Sequence, residues 1–369
     1  MGDPARTDEE SLWSRISGKI HRSPRTLRAL LEQRIQRQTQ AIQKYISRRK
    51  FSRVGASLRR RNPNAEGLVL TTRMVDATNP SIAHWADWSL TRYGFSGDLR
   101  AQPRLIYVKA VPECLDQFLQ DYLPLLKAST RVVLITGDAD TTLPQQVDLR
   151  FPDYLASGLQ QRLLKLLEDS RLLHWYAENL DIRLVGVTPI PLGCVNSDGH
   201  VIYQQIITQA TPIAIRAKPL KAFCAHYVRE GPQWNTRKQV TRLAKDNWRD
   251  FVDVHEQIPY NDFFSTLKTY PFVLCVGGGG LDPSPKAFTA LLAGAIPIIE
   301  RNPTTDAYRD LPVAYVDSWE AQSLDPSRLQ AWLDQLHPYF EDPAKRHAVL
   351  EKMSMASWLL RIRDHHPRA

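Results

Sequence analysis

The sequence predicts an α/β protein made of two units in series behind a basic helical arm, and three observations predict it. Short β-rich apolar runs alternate with helix-compatible stretches through two blocks of the chain, which is the pattern of parallel sheets covered by helices. A run of four glycines, Gly277 to Gly280, interrupts the second block just after one of those runs. The positive charge is concentrated before residue 63: residues 1–62 hold 16 Lys and Arg against 5 Asp and Glu, whereas the remaining 307 hold 32 against 34. A chain of 369 residues with 43% hydrophobic content buries a sizeable core, and usual domain sizes give two domains. The expected division is a basic amphipathic helical extension over 1–62, a first domain over 63–210, a second over 211–340, and a C-terminal helix and tail over 341–369.

In the arm, the apolar residues after Pro24 fall at Leu27, Leu30, Leu31, Ile35, Ile42, Tyr45 and Ile46, one stripe of a helix. A basic amphipathic helix lies on an anionic membrane or packs on a partner, or it rests on its own domain. Its few aromatics (Trp13, Tyr45, Phe51) and the lack of a recognisable module argue against nucleic acid as a partner. No apolar run approaches the roughly 20 residues of a membrane span, and the first residues lack the apolar centre of a secretory signal. A cytoplasmic protein, peripheral at the membrane through the arm, is therefore expected.

After a linker marked by Pro63 and Gly67, the runs Leu68–Thr72, Arg104–Val108, Val132–Thr136, Leu172–Tyr176 and Leu184–Val187 read as strands of the first sheet. Ligands of such sheets bind at the carboxyl ends of strands. One end carries ITGDADTTLP, whose Asp138 and Asp140 fit a loose cation-holding DxD pattern or serve as turn formers. Another carries HWYAENLD, which places His174, Trp175, Tyr176, Glu178 and Asn179 together near a strand end. The four cysteines (Cys114, Cys194, Cys224, Cys275) lack CxxC spacing and read as buried thiols; the ten histidines form no HExxH, and His365 and His366 read as solvated in a polar tail. No metal site and no cofactor are expected, with a divalent cation open only at the Asp138–Asp140 pair.

The second series reads Leu220–Tyr227, Phe251–Val254, Phe272–Val276, Ile296–Ile299 and Val313–Val316 as strands. Helices fall near Lys238–Lys245, Asn261–Leu267, Lys286–Ala293 and Pro326–Leu336. After its first strand come Arg229, Trp234, Asn235, Arg237 and Lys238, cations suited to a departing diphosphate or to a solvated helix start. Phe272–Val276 suits a strand buried on both faces, and the glycines stop it and let backbone amides approach a ligand. Asp282 or Ser284 is suited to cap the helix that follows, Pro285 suits its first turn, and Gly294 ends it. Such a helix start attracts phosphate, and Lys286 adds a positive charge there. Neither GxGxxG nor the P-loop pattern fits: the sixth position from Gly278 is Pro283, and Lys286 follows Pro285.

Across residues 130–318, TGDAD, HWYAENLD, VTPIPLG, NTR, the Asp262–Tyr270 helix, FVLCVGGGGLDPSPKAFTALLAGAIPII and AYVDSW occur in order. That order resembles the exostosin-like glycosyltransferases of the GT-B fold. The resemblance implies two Rossmann-like domains facing a cleft, with a nucleotide-sugar donor held mainly by the second and a saccharide or lipid-linked acceptor by the first. It places Gly278, Gly279, Gly280 and Asp282 in the donor loop, Lys286 at the family's basic position, and Arg237 at the arginine of its N-x-R element. It gives His174 and Asn179 no defined role. Where the family has a carboxylate after an aromatic, this chain has Phe288 and then Thr289, a neutral and weaker partner for ribose hydroxyls; Glu300 or Asp282 then supplies the carboxylate. The implied activity is metal-independent sugar transfer in glycan or polysaccharide synthesis, with Asp138, Asp140, His174 and Glu178 as candidate bases. Two alternatives stay open: a non-catalytic glycan- or nucleotide-binding relative, favoured by Thr289, and a pyruvyl-type transferase acting on a glycan.

Overall fold

A computed structural model describes residues 24–148, 158–195, 198–209, 211–256 and 258–366, with the side chains of 24–31 and 260–261 outside the description. The chain divides into two compact units, residues 1–49 and 50–369. The first contains most of helix α1 (Pro24–Arg61). Of the arm's stripe, Ile35, Ile42, Tyr45 and Ile46 are exposed, while the side chains of Leu27, Leu30 and Leu31 lie outside the description and Trp13 lies outside the described residues. From Lys50 onward α1 belongs to the larger unit, where Phe51 is buried against the His84 ring, with centroids 4.2 Å apart. No helix among the described residues is long and apolar enough to cross a membrane.

The larger unit holds two sheets. The first is built from β1 (Trp88–Thr91), β2 (Gly94–Ser96), β3 (Leu105–Lys109), β4 (Val132–Gly137), β5 (Leu172–Ala177) and β6 (Val187–Pro189), in the order β2-β1-β3-β4-β5-β6. Only β2 runs antiparallel. Helices α2 (Pro112–Gln117), α3 (Leu159–Lys165) and α4 (Gly199–Gln209) connect or follow these strands. The expected strand at Leu68–Thr72 makes only isolated bridges, Val69 with Ser354 and Thr71 with Gly193, because both partners arrive from distant parts of the chain.

The second sheet contains β7 (Ala222–Cys224), β8 (Val252–Val254), β9 (Phe272–Leu274), β10 (Ile296–Glu300) and β11 (Ala314–Val316), all parallel, in the order β11-β10-β9-β7-β8. Helices α5 (Asn235–Lys245), α6 (Tyr260–Leu267), α7 (Lys286–Ala293) and α8 (Pro326–Leu336) complete it. Counted within the domain, the order is the doubly wound 2-1-3-4-5. The direction of winding therefore reverses between β7 and β9, and the loops leaving those strands open a crevice at that point. Two Rossmann-like α/β domains are thus present, as the sequence indicates.

The tail is not a solvated appendage. After α9 (Pro338–Glu341), α10 (Pro343–Lys352) and α11 (Met355–Arg363) return to the first domain, where the Met353 carbonyl accepts from the Leu70 amide at 2.9 Å and the Leu68 carbonyl accepts from the Met355 amide at 2.8 Å. His365 stacks on His174 with centroids 3.9 Å apart, and His366 is buried, so neither histidine is solvated as its polar neighbours suggested. All four cysteines are buried and none is in a disulfide.

Candidate functional site

The crevice at the β7/β9 reversal is lined by the glycine loop, and the packing explains why glycines stand there. A Cβ on Gly278 would lie 2.5 Å from a guanidinium nitrogen of Arg237, and one on Gly280 would lie 2.3 Å from Asn179 Oδ1. Neither neighbour has room to retreat. Arg237 donates from Nε to the Gly277 carbonyl at 3.1 Å and from its terminal nitrogens to the Tyr227 and Val276 carbonyls. Asn179 Oδ1 accepts from the Leu281 and Asp282 amides, both at 2.9 Å, while its Nδ2 donates to the Ala139 carbonyl at 2.9 Å. One asparagine thus joins the end of the first sheet to the loop of the second. Asn179 is in the left-handed conformation (φ 56°), which Asn tolerates better than most residues.

Helix α7 begins beside the loop without a side-chain cap. The expected capping by Asp282 is not made. Its Oδ2 instead accepts from the Leu192 amide at 3.1 Å and the Tyr308 hydroxyl at 3.0 Å, and the Ser284 hydroxyl reaches the Lys286 amide only at 3.5 Å. The first turn therefore presents amide dipoles to the crevice, and Lys286 stands in it. Among the described residues the half-buried Lys286 ammonium makes no hydrogen bond or ion pair, and its Nζ is not one of the fully buried polar atoms left without a partner. Its pKa is pushed down to about 8, first by burial and then by Arg237. The nearest thiols give it no anion, since burial pushes Cys224 and Cys275 up to about 12. His226, just beyond β7, has both ring nitrogens buried without a hydrogen-bond partner, and burial followed by Lys286 and Arg237 holds it neutral well below its ordinary value. Uncompensated positive charge and idle polar atoms therefore meet where the winding reverses.

Across the crevice, the parallel ends of β4 and β5 set Asp138, Asp140 and Glu178 side by side. Glu178 is fully buried and accepts from Thr72 Oγ1 at 2.5 Å, the Asp138 amide at 2.9 Å and Arg73 at 2.9 Å. Burial raises its pKa, with Arg73 and Thr72 offsetting part of the rise. Burial alone would lower the Arg73 guanidinium, but Glu178 and then Asp140 outweigh it and hold its pKa above the ordinary value. Arg73 also pairs with Asp140, and Lys109 pairs with Asp138 at 2.7 Å. Both carboxylates of the DxD triplet thus already face cations. Among the described residues no group of three or more His, Cys, Asp or Glu is arranged to hold a metal ion.

A cavity of about 210 Å³ between the domains is lined by Arg73, Asp140, Asn179, Arg237 and Asp282 with Gly278–Gly280. A second, of about 190 Å³, lies on the other side of the same loop and is lined by Gly277, Glu300, Asn302 and Thr305. The expected site residues Asp140, Arg237, Gly278, Gly279, Gly280, Asp282 and Glu300 line one cavity or the other, whereas Asp138, Glu178 and Lys286 line neither. Two expected residues are placed elsewhere. The Thr289 hydroxyl donates to the Pro285 carbonyl of its own helix at 3.0 Å. His174 lies within β5 rather than at its end, hydrogen-bonded to the Thr188 hydroxyl and stacked on His365; burial and then His365 lower it to about 4. Arg73, Lys109, His226 and Tyr308 join the site without having been singled out by the sequence. Lys109 and His226 at least share a readable signal, a polar side chain at the carboxyl end of an apolar run.

No family model and no curated protein matches this chain, so the exostosin-like resemblance rests on its motifs alone. Among solved structures the chain is similar to an alpha-glucosyltransferase in complex with UDP and a 13-mer DNA containing an HMU base (8% identity, TM-score 0.34, 72% of this chain and 81% of that one). It is also similar to an alpha-glucosyltransferase in complex with UDP-glucose and DNA containing an abasic site (9%, 0.32, 72% and 81%). A third is UDP-GlcNAc 2-epimerase from Neisseria meningitidis bound to UDP-GlcNAc (15%, 0.32, 72% and 76%). Similarity this loose carries no argument about function, and the expectation against nucleic acid draws no support from it, since two of these structures hold DNA.

Proposed function

We propose that this protein is a glycosyltransferase of GT-B type that takes a sugar from a nucleoside diphosphate donor. The observation that carries the reading is the partnerless Lys286 ammonium at the uncapped start of α7, beside Arg237 and the idle His226 ring, where the winding of the second sheet reverses. A half-buried cation that makes no ion pair within the protein is available to an anionic ligand, and a diphosphate matches both the charge and the amide-lined helix start. As the sugar departs, negative charge grows on the diphosphate oxygens, and groups already fixed there stabilise it without reorganising. Arg237 is held by three backbone carbonyls, so its charge is fixed in place. The acceptor occupies the cavity on the Arg73–Asp140 side.

The test is a thermal-shift screen against UDP, GDP, CMP, ADP and phosphoenolpyruvate. Ligand bound only to the native state raises the melting temperature. A rise with one nucleoside diphosphate is the expected result; a rise with phosphoenolpyruvate alone would favour pyruvyl transfer, and no rise at all would favour a protein that binds glycans without turnover.

The nucleoside is placed in the cavity beside Glu300 and Asn302. Glu300, half-buried at the end of β10, takes over the ribose contact that Thr289 cannot make, because the threonine hydroxyl is spent inside its helix. Glu300→Ala should therefore weaken the nucleoside diphosphate by about 1–2 kcal/mol and leave inorganic pyrophosphate unaffected in calorimetry. Equal weakening of both ligands would remove Glu300 from the nucleoside contact.

A further inference from the structure

Asp282 was expected in the donor loop, but its surroundings suit another task. It is 4% exposed, and its two oxygens are treated differently. Oδ2 accepts from the Leu192 amide and the Tyr308 hydroxyl, which fixes the plane of the carboxylate; Oδ1 is buried with no hydrogen-bond partner. A buried carboxylate oxygen without a donor is costly, and Asp282 lines the cavity that also contains Arg73, Asp140 and Arg237. The three other carboxylates of the first-domain side are unsuited to accept a proton, since Asp138 is paired with Lys109 and both Asp140 and Glu178 with Arg73.

The geometry points to Asp282 Oδ1 as the proton acceptor for the hydroxyl that attacks the donor, an inference that rests on the glycosyltransferase reading. The acceptor oxygen bonds to the anomeric carbon, and the bond from that carbon to the diphosphate oxygen breaks. Its electron pair leaves on the diphosphate, and the acceptor's proton passes to Oδ1. This is a single displacement with inversion. The groups facing Asp282 set when it can act: burial raises its pKa to about 6, with Glu178 adding to the rise and the Leu192 amide, Tyr308 hydroxyl and Arg73 opposing it; Cys275 is a neutral thiol nearby. The carboxylate is therefore the acceptor form above about pH 6. Tyr308 is a positioning residue.

The full chain is assayed with UDP-glucose, GDP-mannose and ADP-glucose, water serving as acceptor, from pH 4.5 to 8, with calorimetric binding of each free nucleoside diphosphate. Asp282→Asn retains an oxygen for the Leu192 and Tyr308 donors. It should bind the diphosphate within about 3-fold of wild type but release it from the sugar roughly 10²–10⁴-fold more slowly, without the rise through pH 6. Tyr308→Phe should move that rise to higher pH, because a hydrogen bond to the charged carboxylate is lost. Turnover by Asp282→Asn within about 3-fold of wild type, or an unmoved rise in Tyr308→Phe, overturns the assignment. Diphosphate binding without turnover by the wild-type chain also overturns it while leaving the anion site standing. No binding of any nucleoside diphosphate to wild type removes the glycosyltransferase reading itself, and the proton acceptor with it.

Discussion

Lys286→Ala should weaken the cognate nucleoside diphosphate by about 2 kcal/mol, roughly 30-fold, and slow sugar release by about 10²–10³-fold. The expectation follows from what the ammonium lacks. It stands half-buried in the first turn of α7 with no anionic partner among the described residues, and its neighbour Arg237 is cationic as well, so a bound anion would be its first partner of opposite charge. The same crowding fixes the pH dependence. With a pKa pushed down to about 8 by burial and then by Arg237, the amine is charged below that pH and loses its charge as the pH rises through it. Affinity should therefore be flat up to about pH 7 and decline through pH 8 in wild type, and calorimetry across that range should show no such decline in Lys286→Ala. A wild-type affinity that holds to pH 10 would mean that an ordinary exposed lysine stands there. Full-strength binding by Lys286→Ala would remove the anion site.

The second large effect concerns stability and acts at the other end of the same helix. Arg346, fully buried, donates to the Leu291 and Leu292 carbonyls at 2.8 and 3.1 Å, and Lys218 donates to the Tyr270 and Gly294 carbonyls at 3.1 and 2.7 Å. Two cations thus meet the last carbonyls of α7, whose partial negative charge they complement. Burial lowers Arg346 only to about 10, so it stays charged at neutral pH. Arg346→Ala should cost about 3 kcal/mol, because it takes the side-chain donor from the Leu292 carbonyl, leaves the Leu291 carbonyl only the Gly294 amide at 3.2 Å and opens a cavity, and should lower the melting temperature by roughly 4–5 °C in a unit of this size. Arg346→Met separates the causes. It fills most of the space without donating, and if the guanidinium is only a desolvated burden, this variant will match or exceed wild type. A loss with both variants assigns the effect to the carbonyls.

The parts of this molecule that were legible in the sequence are those whose signal is local. Phe272–Val276, the glycines, Lys286–Ala293 and Ile296–Ile299 were readable because an apolar run buried on both faces and glycine punctuation both act over a few residues. The β1–β2 hairpin and α4 were not singled out, since Trp88–Ser96 mixes polar and aromatic residues and α4 opens on Gly199 and is rich in β-branched residues (Val201, Ile202, Ile206, Ile207, Thr208) that suit a strand equally well. The site was legible at its loop and illegible at its pairings. Nothing in the spacing of Arg73, Asp140 and Glu178 says that one guanidinium serves both carboxylates, and nothing near Asp282 says that Tyr308 and Leu192 will claim one of its oxygens. The resemblance supplied an order of motifs; tertiary proximity decided which side chains remain idle.

The contacts of the returning tail have a consequence for the order in which the protein can be completed during synthesis. Arg346 on α10 satisfies the far end of α7, and residues 353–355 pair with the first unpaired stretch of the first domain, Leu68 and Leu70. A chain still lacking these residues has made both sheets yet holds neither the helix that begins at the glycine loop nor the edge that carries Thr72 and Arg73 toward Glu178. Contacts this distant along the chain form late, so a nascent or prematurely stopped polypeptide should be nearly full length and still lack a finished crevice.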